Sequence, residues 1–355
     1  MDSEWSSLRR SGRWIRGFIR CWLVPLVMAC AAGVGSAQGR PAGAHDGDVA
    51  VVLGLLMQPE SSFDLAAAKL KIDRLMDPGI DVPATQQQLD AMATSLKAKI
   101  PPGANSRVKL DVLRNYLYTA NPWNGNRPYH YDLEDPLGRN LRNKLLTVYL
   151  QTHAGNCISM PILFVVLGQK LGLDLTLATS PNHVFVKYRD ERGEWFNLET
   201  TSGAGFARDV WMRQQSPMTD QAIASGLYMR PLSKKEAVVV MVGTLLEFYE
   251  RQGLRELQLK MSRMALDHNP RDVAIILHQH AAWLWFRNLI VNQYVTPDDV
   301  PVAQRALLAR HETALRDLFE RAWSLGWRPA DEGQDEAVRQ RAAKAKAVQL
   351  QEKSK

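Results

Sequence analysis

The sequence predicts an α+β protein in which a helical N-terminal part and an all-helical C-terminal tail flank a central layer of helix and antiparallel strands. Three observations carry this expectation. Residues 63–118 place apolar side chains at mixed three- and four-residue steps, the period of amphipathic helices. Residues 175–199 hold three short strand-like runs separated by turn residues. Beyond Pro231 the helical period returns almost without interruption. Helices first and strands afterwards argue for an α+β layer, because alternating parallel units would interleave the two. A chain of 355 residues has room for more than one core. Hydrophobic residues at 46% and charged residues at 23% exclude a disordered, collagenous or multi-span membrane protein. The formal charge of +7 owes much to five arginines between Arg9 and Arg20, and what remains is too mild to argue nucleic-acid binding.

Taken in chain order, residues 1–37 read as a secretory signal peptide. Arg9, Arg10, Arg13, Arg16 and Arg20 form a positive region, a mostly apolar run follows from Cys21, and Gly35-Ser36-Ala37 offers small residues for cleavage. The run is short for a membrane-spanning helix and Pro25 interrupts it. Val27-Met28-Ala29-Cys30 resembles a bacterial lipobox, so a lipid on Cys30 is the competing fate and the only other route to a membrane. Export to a bacterial periplasm or beyond is the expectation. Residues 38–62 read as a flexible entry and 63–120 as the helical N-terminal part, with Asp77-Pro78-Gly79 separating two of its helices. Residues 121–230 form the core domain. Its apolar helix starts at Cys157 and stops at Gly172, and strands follow at 175–179, 183–188 and 195–199. Residues 231–328 give a helix, short turn, helix rhythm that resembles a degenerate tetratricopeptide-like pair, and 329–355 are a charged, Ala-rich tail.

Chemistry concentrates in the core. Cleavage after Ala37 removes Cys21 and Cys30 and leaves Cys157 as the one thiol of the mature chain, so no internal disulfide can form. A cysteine at a helix start feels the positive end of the helix dipole and free backbone N–H groups, both of which favour thiolate. The same amides suit an oxyanion. His183 heads the second strand, where an imidazole can meet a thiol at the tip of a helix packed on the sheet. Trp195, Asn197 and Glu199 share one face of the next strand, so an amide or a carboxylate can point across to His183 and fix its tautomer. His278 and His280 lie two apart on a helix and face apart, no zinc-type ligand set exists, and no phosphate loop or Gly-x-Ser-x-Gly elbow occurs. No metal and no cofactor is expected.

The motifs Gly155-Asn156-Cys157, Pro181-Asn182-His183-Val184-Phe185-Val186 and Trp195-Phe196-Asn197-Leu198-Glu199-Thr200-Thr201-Ser202-Gly203 resemble those of the transglutaminase-like superfamily of papain-type cysteine enzymes. With the segment Tyr131-Asp132-Leu133-Glu134-Asp135-Pro136 ahead of them and helices on both sides, the chain is most similar to the SirB-type branch. The resemblance implies a transglutaminase/papain-like core, a helix bearing Cys packed on an antiparallel sheet, with Cys157 as nucleophile, His183 as general base and acid, and Glu199 as the residue orienting the imidazole. The superfamily's usual third member is Asp in an Asp-Pro step, whereas this chain has Asn197-Leu198-Glu199, which leaves Asn197 as the alternative third member. Gln151 is a candidate side-chain donor to the oxyanion, against its reading as a solvated helix end. Trp123, Tyr129 and Tyr131 are candidates for lining a cleft, against covering a core. The implied activity is acyl transfer on an amide or isopeptide bond of a peptide or protein, cell-wall peptides included, through a Cys157 thioester, with water or an amine as acceptor. The alternative is a catalytically inactive binding module or scaffold whose helical tail docks a protein partner.

Overall fold

The computed structural model describes residues 45–330 and 333–353. The signal at 1–37, Cys21, Cys30 and the first part of the entry segment lie outside the described residues. Among those described the protein is α+β, with thirteen α-helices, a two-stranded parallel pair and a four-stranded antiparallel sheet.

The N-terminal helices are α1 (Asp46–Met57), α2 (Leu65–Met76), α3 (Val82–Lys97) and α4 (Ser106–Tyr118). Residues 38–62, expected as a flexible entry, therefore contain a helix, and its Val52, Leu55 and Leu56 are buried. Burial of that apolar stripe decides the conformation, which the Gly- and Ala-rich start of the segment does not reveal. Each later start carries a side-chain cap. Asp64 accepts from the backbone N–H of Ala66 and Ala67, Asp81 from Ala84 and Asn105 from Val108. Asp77-Pro78-Gly79 falls between α2 and α3 as expected.

The central part runs β1 (His130–Tyr131), a 3₁₀ turn at Leu141–Lys144, α5 (Leu146–Thr152), β2 (Ala154–Gly155) and α6 (Ser159–Lys170). The sheet follows as β3 (Asp174–Ser180), β4 (His183–Arg189), β5 (Trp195–Glu199) and β6 (Gly205–Ala207), hydrogen-bonded in that order, every pair antiparallel. α6 is apolar almost all round because it is buried from Ser159 to Gly168, packing on β3 and β4 and against α3, α4 and α5. It ends in a Schellman motif: Gly172 N–H donates to Gln169 O, Leu173 N–H to Gly168 O, and Gly172 takes the left-handed conformation at φ +74°. β3 and β4 join through Pro181-Asn182, with Ser180 paired to His183 and Asn182 at φ +55°, the residue order of a type II turn.

Two short helices, α7 (Asp209–Gln215) and α8 (Asp220–Ala224), lead to α9 (Lys234–Arg251), α10 (Arg255–His268), α11 (Val273–Val291) and α12 (Val302–Ser324). Ser233 and Glu236 close a capping box at the start of α9, and Asp272 caps α11. α9 packs on α1, α2 and β3 as well as on α10 and α11, and α11 packs on α12. The charged, Ala-rich tail contains α13 (Gln334–Lys353), which belongs to a separate unit and is described by itself.

Candidate active site

Cys157 sits in the turn that joins β2 to α6, two residues before the first helical residue rather than inside the first turn as expected. The reason lies in Asn156. This buried side chain accepts the N–H groups of Ile158 (3.0 Å) and Ser159 (3.4 Å), an Asx turn that satisfies the orphan donors at the helix start and holds Cys157 clear of the helical ladder. Ser159 Oγ fixes the other side of the turn by donating to Asn143 O at 2.7 Å. Gly155 is required here, because a Cβ at that position would lie 2.6 Å from both Ser159 Oγ and the Tyr149 ring. The N–H of Cys157 itself finds no acceptor among the described residues.

Across from the thiol, the tight β3–β4 turn presents His183 at the head of its strand. Glu199 ends β5, and its Oε2 lies 2.7 Å from His183 Nε2. Its Oε1 accepts the hydroxyl of Thr201 at 2.6 Å and the Thr201 N–H at 2.9 Å, so both carboxylate oxygens are held. With Nε2 engaged by Glu199, Nδ1 is the ring nitrogen left to face the thiol, and the His183 side chain and the Val184 N–H both act on Cys157 to favour its charged form. His183 keeps 21% of its side-chain surface exposed and Glu199 keeps 7%, so the ring can be reached from outside while the carboxylate works through it.

The electrostatics favour an ion pair. Burial pushes the Cys157 thiol up, but the His183 hydrogen bond and charge, helped by Lys144 and the Val184 N–H, bring it below its ordinary value. Burial pulls His183 down, yet the Glu199 carboxylate and the thiol raise it to about 10. Burial likewise raises Glu199, and the His183 charge together with the two Thr201 bonds lowers it overall. The three shifts all favour the charged form of their group: thiolate at Cys157, imidazolium at His183 and carboxylate at Glu199.

Of the two residues the sequence offers, Glu199 is the one in contact with His183, and the strand register gives the physical reason. Asn197 pairs with Lys187, four residues along β4 from His183, and stands about 7 Å further along the strand than Glu199. Its amide donates instead to Ala207 O (2.9 Å) and Asp209 Oδ1 (2.6 Å), tying β6 and the start of α7 to β5. Gln151 is exposed on α5 and bonds to none of the three, which leaves its expected part in an oxyanion site without geometric support. Tyr129 is buried, stacked on His153 with centroids 3.9 Å apart and edge-on to Tyr149, so it covers a core; Trp123 stands exposed beneath Lys99.

Tyr131 does reach the site. The parallel pairing of β1 with β2 sets it opposite Gly155, two residues from the nucleophile, and its hydroxyl donates to Pro136 O at 3.0 Å. Burial raises its phenol far above the usual range, with the Cys157 charge adding to that. Two neighbours escaped the sequence reading. Tyr118, whose buried hydroxyl has no partner, feels the charge of Glu199, and the Lys144 ammonium adds to the charges that lower the thiol's pKa. Neither sits in a motif with regular spacing, and both arrive through packing of distant segments.

Comparison with known proteins agrees with this geometry at the level of the domain. No curated protein and no solved structure matches the chain. Residues 83–242, from α3 into α9, match the family model described as the Transglutaminase-like superfamily. The chain thus carries a transglutaminase-like domain, and Cys157, His183 and Glu199 all lie within it.

Proposed function

We propose that this domain is a cysteine-dependent acyl-transfer site acting on amide or isopeptide bonds. The observation that carries the reading is the 2.7 Å contact of Glu199 with a His183 ring whose charge acts on a half-buried Cys157, and the Cys157 N–H that is left to receive an oxyanion. The Cys157 thiolate attacks the acyl carbonyl, forming a C–S bond and moving the carbonyl π pair onto oxygen. The Cys157 N–H stabilises that oxyanion. His183 gives its Nδ1 proton to the departing nitrogen as the C–N bond breaks, which releases an amine and leaves the Cys157 thioester. His183, now neutral, removes a proton from water or a second amine as it attacks the thioester, and the thiolate leaves. Glu199 keeps the imidazole in the tautomer and orientation both halves need.

The finer likeness to the SirB-type branch and the tetratricopeptide-like character of 231–328 belong to this reading; the latter is supported by the succession of packed helices from α9 to α12. Export by residues 1–37, read from the sequence, points to substrates outside the cytoplasm, cell-wall peptides among them.

The test uses p-nitrophenyl acetate as acyl donor. A burst of nitrophenolate, with the acetyl group found on Cys157 by mass spectrometry and lost in Cys157→Ala, is the expected result. No burst, or one that survives Cys157→Ala, overturns the reading.

A further inference from the structure

A chain of buried charges runs beneath the nucleophile turn, and the steps above make no use of it. Lys69 of α2, fully buried, donates to Asp73 Oδ1 (2.6 Å) and to the carbonyl of Lys144 (2.8 Å), while Asp73 Oδ2 accepts the Leu146 N–H (2.8 Å). The Lys144 ammonium pairs with Glu247 of α9, whose second oxygen takes the Arg251 guanidinium. One residue earlier, Asn143 O receives Ser159 Oγ from the start of α6. Three elements, α2, α6 and α9, thus fix a single 3₁₀ turn on which Lys144 stands, and that turn abuts the loop carrying Cys157.

A buried pair of this kind gains little stability over apolar residues of the same size, because desolvation offsets the attraction. Convergence of three elements on the one turn that carries this lysine therefore needs another reason, and the neighbouring thiol supplies it. The charged and titratable groups around the thiol are His183 from β4, Tyr131 from β1, Glu199 from β5 behind the imidazole, and Lys144 from the 3₁₀ turn. Lys144 is the one fixed cation among them, held beside the thiol's loop by the Ser159 Oγ–Asn143 O bond and by packing of its turn on β2, and Glu247 is the counter-charge that competes with the thiolate for it.

Resting on the acyl-transfer reading, we propose that Lys144 is a positioning residue for the nucleophile and that Glu247, beyond the matched domain, sets how much of its positive charge the Cys157 thiolate feels. The helical part after residue 242 is then a working component of the site.

The experiment compares the pH profile of Cys157 alkylation by iodoacetamide in the full chain with that of Lys144→Met, Lys144→Arg, Glu247→Gln and His183→Ala, each checked by circular dichroism and thermal melting. Below the thiol pKa the rate follows the thiolate fraction, which changes tenfold per pH unit. Lys144→Met is expected to move the profile to higher pH and slow alkylation at pH 6.5 about threefold to tenfold. Lys144→Arg restores it, and Glu247→Gln moves the profile the opposite way. A merely structural lysine would lower the melting temperature and leave the profile in place. An unchanged profile in Lys144→Met beside a shifted one in His183→Ala overturns this inference and spares the acyl-transfer reading; no shift in either overturns both. Should Lys144→Met fail to fold, Glu247→Gln decides, since an unchanged or upward-shifted profile there refutes the coupling.

Discussion

Among the described residues two histidine–glutamate pairs are largely buried, and they differ in what lies beyond the histidine. In the core domain His183 Nε2 lies 2.7 Å from Glu199; among the tail helices His278 Nδ1 lies 3.2 Å from Glu250. Both carboxyls are pushed up by burial and brought below their ordinary value by partners. The difference is what completes each cluster. Glu250 also receives Arg255 and the Gln258 amide, so its charge is neutralised inside a packed interface of α9, α10 and α11. Glu199 receives only Thr201 besides the histidine, and its influence passes through the ring to a thiol on a turn with an unused N–H. A histidine–carboxylate pair by itself is a packing solution; on the proposed reading, the thiol beyond His183 makes the first pair chemistry.

The largest expected effect separates the clusters outright. Cys157→Ala should abolish the nitrophenolate burst, and His183→Ala should slow iodoacetamide alkylation at pH 6.5 by about tenfold to a hundredfold, since a thiol without its imidazolium returns toward its ordinary pKa of about 8.5. His278→Ala should leave both readouts unchanged. A comparable loss from His278→Ala would show that the thiol responds to general loosening of the fold.

Next in size is the exchange of the two carboxylates. Glu199→Gln removes the charge that raises His183, so the imidazolium loses its proton at lower pH and the thiol is stabilised less as thiolate; the alkylation profile should move upward. Glu250→Gln should leave that profile alone and lower stability instead, by about 3 kcal/mol, the cost of stripping one partner from a buried charged cluster. Chemical denaturation of the two variants beside their alkylation profiles checks this crossing of effects.

How far the sequence disclosed this difference follows from the range of each interaction. The meeting of His183 with Glu199 was legible because their neighbours form local signatures: a Pro-Asn turn that positions a strand start, and a period-two strand that puts Asn197 and Glu199 on one face. The α+β order was legible for the same reason, since apolar periodicity and caps act within a few residues. The helix at 46–57 was missed because its burial depends on α2 and α9. β6 is three residues long, too short to show alternation, and exists because Asn197 and the β5 edge hold it. Lys144 and Glu247 stand 103 residues apart, and no pattern within either neighbourhood announces that they meet.

A smaller effect is expected at the residue that competed with Glu199. Asn197→Ala removes two hydrogen bonds that tie β6 and α7 to β5 and should cost about 1–2 kcal/mol while leaving the alkylation profile in place. A shifted profile would mean that the β5–β6 edge positions Glu199 more directly than the register suggests.

The finest distinction lies in how each cluster's contribution to stability depends on pH. His183 has a folded pKa raised to about 10 against an unfolded value near 6.5, so its protonated form stabilises the fold fully below that unfolded value, and the contribution fades as pH rises through 10. Glu250 has a folded pKa below its ordinary value, so its contribution is present above the usual carboxylate range and fades as pH falls through the folded value. Melting temperatures taken across pH should therefore show the gap between wild type and His183→Ala closing toward alkaline pH, and the gap between wild type and Glu250→Gln closing toward acid. If both gaps closed on the same side, the two pairs would share one ionisation behaviour, and the contrast between a packing cluster and a reactive one would have to rest on the thiol alone.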